Sequence, residues 1–156
     1  MMTFQYYDLK RKIKSNDIAL IFPGWEHKKE TVVVFSPHDD DAILGAGYVL
    51  VATRANEGRV VVIIACDGRA GYSNPDQKNT IVEIRKQETI QAYKTLGLEE
   101  HDIIRFEIPD FSALSYIGWK LSSGIEGTFS KIIPLLRKIG ATRLLIPNQY
   151  REHIDH

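Results

Sequence analysis

Apolar residues fall in short blocks along this chain, and the blocks change period in a regular order. Thr31-Val32-Val33-Val34-Phe35 is a continuous, mostly β-branched run, the pattern of a strand buried on both faces of a parallel sheet. Ala42 to Thr53 is apolar over the length of a helix, and Val60 to Cys66 is again a strand-length run. The same reading along the chain predicts strands near 31–36, 60–66, 103–108 and 143–147. It predicts helices near 42–55, 80–96 and 128–139, with loops over 67–79 and 109–124. Alternating strand and helix signals are those of an α/β fold, a mainly parallel sheet joined by crossover helices. Residues 1–30 lack such a period. They carry the basic stretch Lys10-Arg11-Lys12-Ile13-Lys14 and a Pro23-Gly24 breaker, so an irregular or short-helical lead-in with solvated charges is expected ahead of a domain over 31–156.

The polar residues that matter follow the predicted strands. Pro37-His38-Asp39-Asp40-Asp41 comes directly after the first run, and open α/β sheets bind ligands beyond the carboxyl ends of their strands. Acidic residues at a strand-to-helix turn have an ordinary explanation, because they cap free amides and suit the helix dipole. A second cluster argues for more. His153-Ile154-Asp155-His156 follows the strand signal Arg143-Leu144-Leu145-Ile146-Pro147, and the two clusters read together as one divided metal site. A catalytic zinc keeps three nitrogen, oxygen or sulfur ligands and one open position. His38, Asp41 and His156 can supply that triad, leaving Asp40 and His153 beside the metal as proton-handling groups.

Other loops on the same edge add weaker candidates. Asp67-Gly68-Arg69-Ala70-Gly71 follows the second strand, where its glycines allow close backbone approach but also suit a plain turn. Arg85 and Glu88 lie on one helix face as an ordinary surface pair, or Arg85 points into the cleft. Pro109-Asp110 closes the third strand.

Composition narrows the function class. With 156 residues, 44% hydrophobic content and 20 acidic against 20 basic side chains, the chain suits one domain with a real core and gives no electrostatic argument for nucleic acid. The lone Cys66 excludes an intrachain disulfide, fits a reducing compartment and sits in an apolar run as a buried strand residue. No apolar stretch reaches the length of a membrane span, so a cytoplasmic protein is expected. No GxGxxG follows the first strand, which disfavours a dinucleotide-binding domain, and no phosphate loop supports an NTPase.

Taken together, these motifs resemble the LmbE-like, or PIG-L-type, zinc-dependent N-deacetylases. Pro37-His38-Asp39-Asp40-Asp41-Ala42 matches the family's (P/A)HPDDE, and His153-Ile154-Asp155-His156 its HPDH or HxDH. Asp67-Gly68 with Gly71, Arg85-Lys86-Gln87-Glu88 with Ala92 and Leu96-Gly97, and Pro109-Asp110 match its supporting motifs. The resemblance implies a Rossmann-like three-layer sandwich. It implies Zn2+ on His38, Asp41 and His156, Asp40 as general base, His153 stabilising the oxyanion, and Asp155 orienting a histidine. Arg85 and Asp110 would grip sugar hydroxyls or a phosphate. The partner implied is a small-molecule N-acetylated sugar or glycoconjugate, and a homo-oligomer is left open.

Three positions depart from the pattern. Asp39 replaces a proline and adds a negative charge near the metal, Ala42 replaces a glutamate, and Ile154 replaces a proline. Family members also continue beyond the second motif, so the C-terminal part of the fold is expected to be missing here. The competing expectation is an inactive or truncated domain that serves as a binding or assembly module.

Overall fold

A computed structural model of the protein describes residues 4–148 and 153–156. The lead-in opens with two short strands, β1 (Tyr6–Asp8) and β2 (Ile13–Ser15), paired antiparallel. A 3-10 turn at Ile18–Leu20 follows, capped by Asp17, whose carboxylate accepts from the Ala19 amide at 2.8 Å. An irregular or short-helical lead-in was the expectation, but strands of three residues are too short for alternation to be read. Lys10 to Lys14 are exposed, as expected. Tyr6 and Ile18 pack with Ala52, and the Tyr6 hydroxyl accepts from Asn56 Nδ2 at 2.7 Å, so the lead-in is fastened to the first helix.

The remaining elements are β3 (Thr31–Ser36), α1 (Asp41–Ala55), β4 (Arg59–Cys66), α2 (Ile81–Thr95), β5 (Ile103–Ile108), α3 (Thr128–Ile139) and β6 (Arg143–Leu145). The four strands from β3 onward form one parallel sheet in the order β5-β4-β3-β6. Covering on both faces explains the continuous apolar runs. Val32, Val34, Val60, Val62 and Ile64 meet α1 and α2 through Ala42, Leu50 and Tyr93, whereas Val33, Val61 and Ile63 meet Ile132, Leu135, Leu136 and Ile139 of α3. This is the expected three-layer α/β sandwich. Gly140 ends α3 in the left-handed region, at φ 71°, where glycine has no Cβ penalty.

The topology fixes where a site can be. From β3 the chain crosses through α1 to β4 and through α2 to β5 on one face. It then returns by α3, on the opposite face, to β6 on the other side of β3. The strand order therefore switches between β3 and β6, and the carboxyl edge beside such a switch is the usual ligand position in sheets of this kind.

β6 is short and at the edge, and polar contacts hold its register. The Thr31 amide donates to Thr142 Oγ1 at 2.9 Å, and Thr142 Oγ1 also bonds Glu30. Arg143 reaches both oxygens of Glu30, each at 3.0 Å, while its guanidinium lies over the rings of Phe22 and Trp25. Glu30 is only 6% exposed, and the Arg143 fork beside it, working against burial, holds its carboxyl down at about 2 from an ordinary 4.5. A depressed folded pKa means stability that is present above the unfolded value and lost as pH falls through the folded one. Glu30→Gln is expected to cost about 2–3 kcal/mol at pH 7 by urea denaturation. The gap to wild type should then close between about pH 4.5 and 2.

Candidate metal centre

The turn after β3 is built by Ser36. Its hydroxyl donates to the His38 carbonyl at 2.6 Å and accepts from the Ala42 amide at 3.0 Å. A hydroxyl, not a carboxylate, therefore serves the first turn of α1. Asp40 stands at the N-cap position with φ −101° and ψ −20°, and its side chain makes no capping bond. The ordinary explanation of the acidic run thus fails at Asp40, which is exposed to the cleft.

Asp41 turns back toward the turn. Its Oδ2 accepts from the His38 amide at 2.8 Å and lies 3.4 Å from His38 Nδ1 and 3.3 Å from His156 Nε2. One carboxylate oxygen thus stands between two imidazoles from opposite sides of the crevice. His153 joins them, its ring edge-on to His38 with centroids 4.8 Å apart. His38, His153 and His156 each offer a nitrogen, all within 4.8 Å of one another. His153 Nδ1 accepts from the Asp155 amide at 3.3 Å, which leaves the proton of the neutral ring on Nε2.

Asp155 organises this half of the site from below. Its side chain is fully buried and accepts from the amides of Phe111 at 2.7 Å and Ala113 at 3.0 Å. Its Oδ2 lies 3.4 Å from His38 Nε2 and 3.7 Å from His153 Nδ1. Burial alone would raise the carboxyl, but the two amides and the nearby His38 bring it below its usual value. His38 moves the other way. Asp41 first, then Cys66, push it up to about 10 in the metal-free protein, so occupancy of that imidazole by a metal requires loss of a proton.

The supporting candidates divide. Asp110 lies in the cleft wall, but its two oxygens accept from the amides of Gly68 at 2.9 Å and Ala70 at 2.8 Å, which shapes the 67–71 loop. Arg85 lines the same cleft while donating to the Gly71 carbonyl at 2.8 Å and pairing with Glu88 at 2.9 Å, so the surface and cleft readings hold together. Cys66 is fully buried with its thiol pushed up by burial, as a strand residue should be, yet it approaches His38 and Asp110. The cleft bounded by His38, Asp40, Gly68, Arg85 and His153 has a volume of about 480 Å³.

Asp39 also lines this cleft, but its charge is paired with a cation. Its carboxylate turns to Arg105 of β5 and to Thr89 Oγ1, which donates at 2.7 Å. Ser36, Thr89 and Arg105 are site-building residues that pattern reading passes over. Arg105 carried a signal, being a cation in the otherwise apolar start of a strand, where burial demands a partner.

Residues 33–156 match the family model described as PIG-L, GlcNAc-PI de-N-acetylase, a span that takes in both clusters. The chain belongs to the PIG-L family. No curated protein matches it by sequence. Among solved structures, this PIG-L chain is similar to the N,N'-diacetylchitobiose deacetylase from Pyrococcus horikoshii in complex with its inhibitor MPG. The TM-score is 0.67 at 20% identity, covering 81% of this chain and 45% of that one. It is also similar to the conserved protein TT1542 from Thermus thermophilus, with a TM-score of 0.58 at 23% identity over 80% of this chain and 49% of that one. The deacetylase of the teicoplanin biosynthesis pathway, in complex with teicoplanin, gives a TM-score of 0.58 at 18% identity over 80% and 60% of the two chains. These likenesses concern the fold, and the PIG-L chain spans about half the length of the first two.

The donor set suits a borderline metal. Imidazole nitrogens and one carboxylate oxygen, converging from two strand ends, are the ligand types of catalytic zinc sites, and the Asp155 carboxylate lies 3.4 Å from His38 Nε2 behind them. Removing the hydroxyl that shapes the turn tests the local construction. Ser36→Ala, at a position 1% exposed, is expected to lower the unfolding free energy by about 1–2 kcal/mol in urea titration, since the buried Ala42 amide and the half-buried His38 carbonyl lose their bond.

Proposed function

We propose that this protein is a zinc-dependent N-deacetylase that hydrolyses the acetamide of an N-acetyl sugar or sugar conjugate in the cytoplasm. The observation that carries the reading is the convergence of His38 and His156 on one carboxylate oxygen of Asp41, with an uncapped Asp40 on the same cleft. Membership of the PIG-L family supports the reaction class. The single cysteine, and the lack of any described helix long and apolar enough to cross a membrane, support the compartment.

His38, Asp41 and His156 would hold the zinc, which when bound would act as a Lewis acid and lower the pKa of a coordinated water to about 7. Asp40 takes a proton from the attacking water as the new C–O bond forms at the acetyl carbonyl. His153, protonated on Nε2 because Nδ1 is engaged by the Asp155 amide, donates to the oxyanion that develops there. Asp40 then returns the proton to the nitrogen as the C–N bond breaks, giving acetate and the free amine. Arg85, at the cleft wall, binds a hydroxyl or phosphate of the sugar portion, and Asp110 holds the 67–71 loop that faces it.

Zinc titration followed by acetate release from N-acetylglucosamine conjugates tests this scheme. One zinc per chain is expected for wild type and none for His156→Ala. Asp40→Asn is expected to keep its zinc and lose about 10²–10⁴-fold in kcat. Full zinc loading with no acetate released from any N-acetyl sugar would overturn the substrate class, and failure of wild type to bind zinc would overturn the reading itself.

A further inference from the structure

We propose that Arg105 is a positioning residue that, through its pairing with Asp39, locks the turn carrying His38 and Asp41 against β5 and α2. Asp39, Asp40 and Asp41 are consecutive carboxylates on one tight turn, and balancing one of the charges lowers their mutual repulsion. Asp39 is the one balanced. Arg105 Nη1 donates to Asp39 Oδ1 and Nη2 lies 3.5 Å from Oδ2, with the two side chains only 8% and 15% exposed. Thr89 Oγ1 donates to the same carboxylate at 2.7 Å, and the Tyr93 hydroxyl donates to the Asp39 carbonyl at 3.2 Å, so α2 grips the residue from both its side chain and its backbone.

The guanidinium also joins neighbouring loops. Arg105 Nη2 donates to the Asp67 carbonyl at 3.2 Å, tying the loop after β4 to the same point, and Nε donates to Glu107 at 3.0 Å. Gly68 completes the fit, because a Cβ there would stand 2.9 Å from Asp39 Oδ2. The β4–β5 register shifts between Ile64 and Cys66, and Glu107 takes φ 54°, an extra residue that bends β5 just past Arg105. Asp39 lines the cleft beside His38 and Asp40, yet its carboxylate is engaged by Arg105 and Thr89. A fork of this kind leaves Asp41 to the imidazoles and Asp40 to the cleft.

The functional consequence rests on the metal-centre reading, whereas the positioning itself does not, so two measurements separate them. Hydrogen–deuterium exchange of the metal-free protein reads the turn directly. In Arg105→Met, exchange is expected to rise about tenfold or more over 37–42 and 67–71 and to stay near wild type in β3 and β4. Zinc affinity is expected to weaken by about 10–100-fold. Asp39→Asn/Arg105→Met, which removes the stranded carboxylate charge together with its partner, should return both readouts to within about threefold of wild type. Arg105→Lys keeps the cation without the fork and serves if the methionine variant does not fold, with the same changes at smaller amplitude. Unchanged exchange at 37–42, a rise spread evenly over the sheet, or a double variant as impaired as the single one would each overturn the proposal. A wild type that binds no zinc would overturn the metal reading while exchange still decides the role of Arg105.

Discussion

The pairing of β6 with β3 is the constraint on which the rest of the structure depends. Val32, Val33 and Val34 stand opposite Arg143, Leu144 and Leu145, and these three pairs set where the chain leaves the sheet on its way to His153 and His156. So short an edge strand has little backbone bonding of its own. Its register is fixed at the far end from the site by Glu30, Thr142 and Arg143, with Phe22 and Trp25 of the lead-in beneath the guanidinium. A one-residue slip would turn Leu145 out of the core and swing the second cluster away from His38. The lead-in thus contributes to the site without touching it.

Three adjacent carboxylates acquire three roles because their surroundings differ. Asp39 is paired with a guanidinium, Asp40 faces the cleft with no capping bond, and Asp41 folds back between two imidazoles. Ser36 makes this division possible. By serving the Ala42 amide, its hydroxyl releases the acidic side chains from the capping duty that their position at a helix start would otherwise impose. A turn of this construction can concentrate negative charge for a cation and still begin a helix.

Much of this was legible in the sequence for a plain physical reason. Strands buried on both faces must be continuously apolar, so β3 and β4 announce themselves, and the alternation of periods gives the parallel sheet. His38, Asp41 and His156 could be paired because their clusters follow predicted strands at the same edge, and the fold brings them together. Long-range polar pairs were not legible. Nothing local ties Asp39 to Arg105 or Glu30 to Arg143, and periodicity carries no information about such partners. Asp39 was therefore expected to burden the metal centre, when its charge is balanced by a side chain far along the sequence. The β1–β2 hairpin escaped for a different reason, its strands being shorter than one readable period.

The two halves of the centre are held by unlike means. His38 and Asp41 hang from the central strand and are braced by α2 and β5, an arrangement tied to the core of the sheet. His153 and His156 lie beyond the end of β6, and among the described residues their segment is anchored chiefly through Asp155 to the amides of Phe111 and Ala113. That anchor is a buried carboxylate between loops, so its strength comes from charge-assisted hydrogen bonds and not from packed apolar area. The first half is accordingly tied to the sheet, and the second to loop amides through one carboxylate. A cation bound between them would contribute most where the protein's own contacts are fewest, by drawing His156 onto Asp41 and so completing the wall of the cleft.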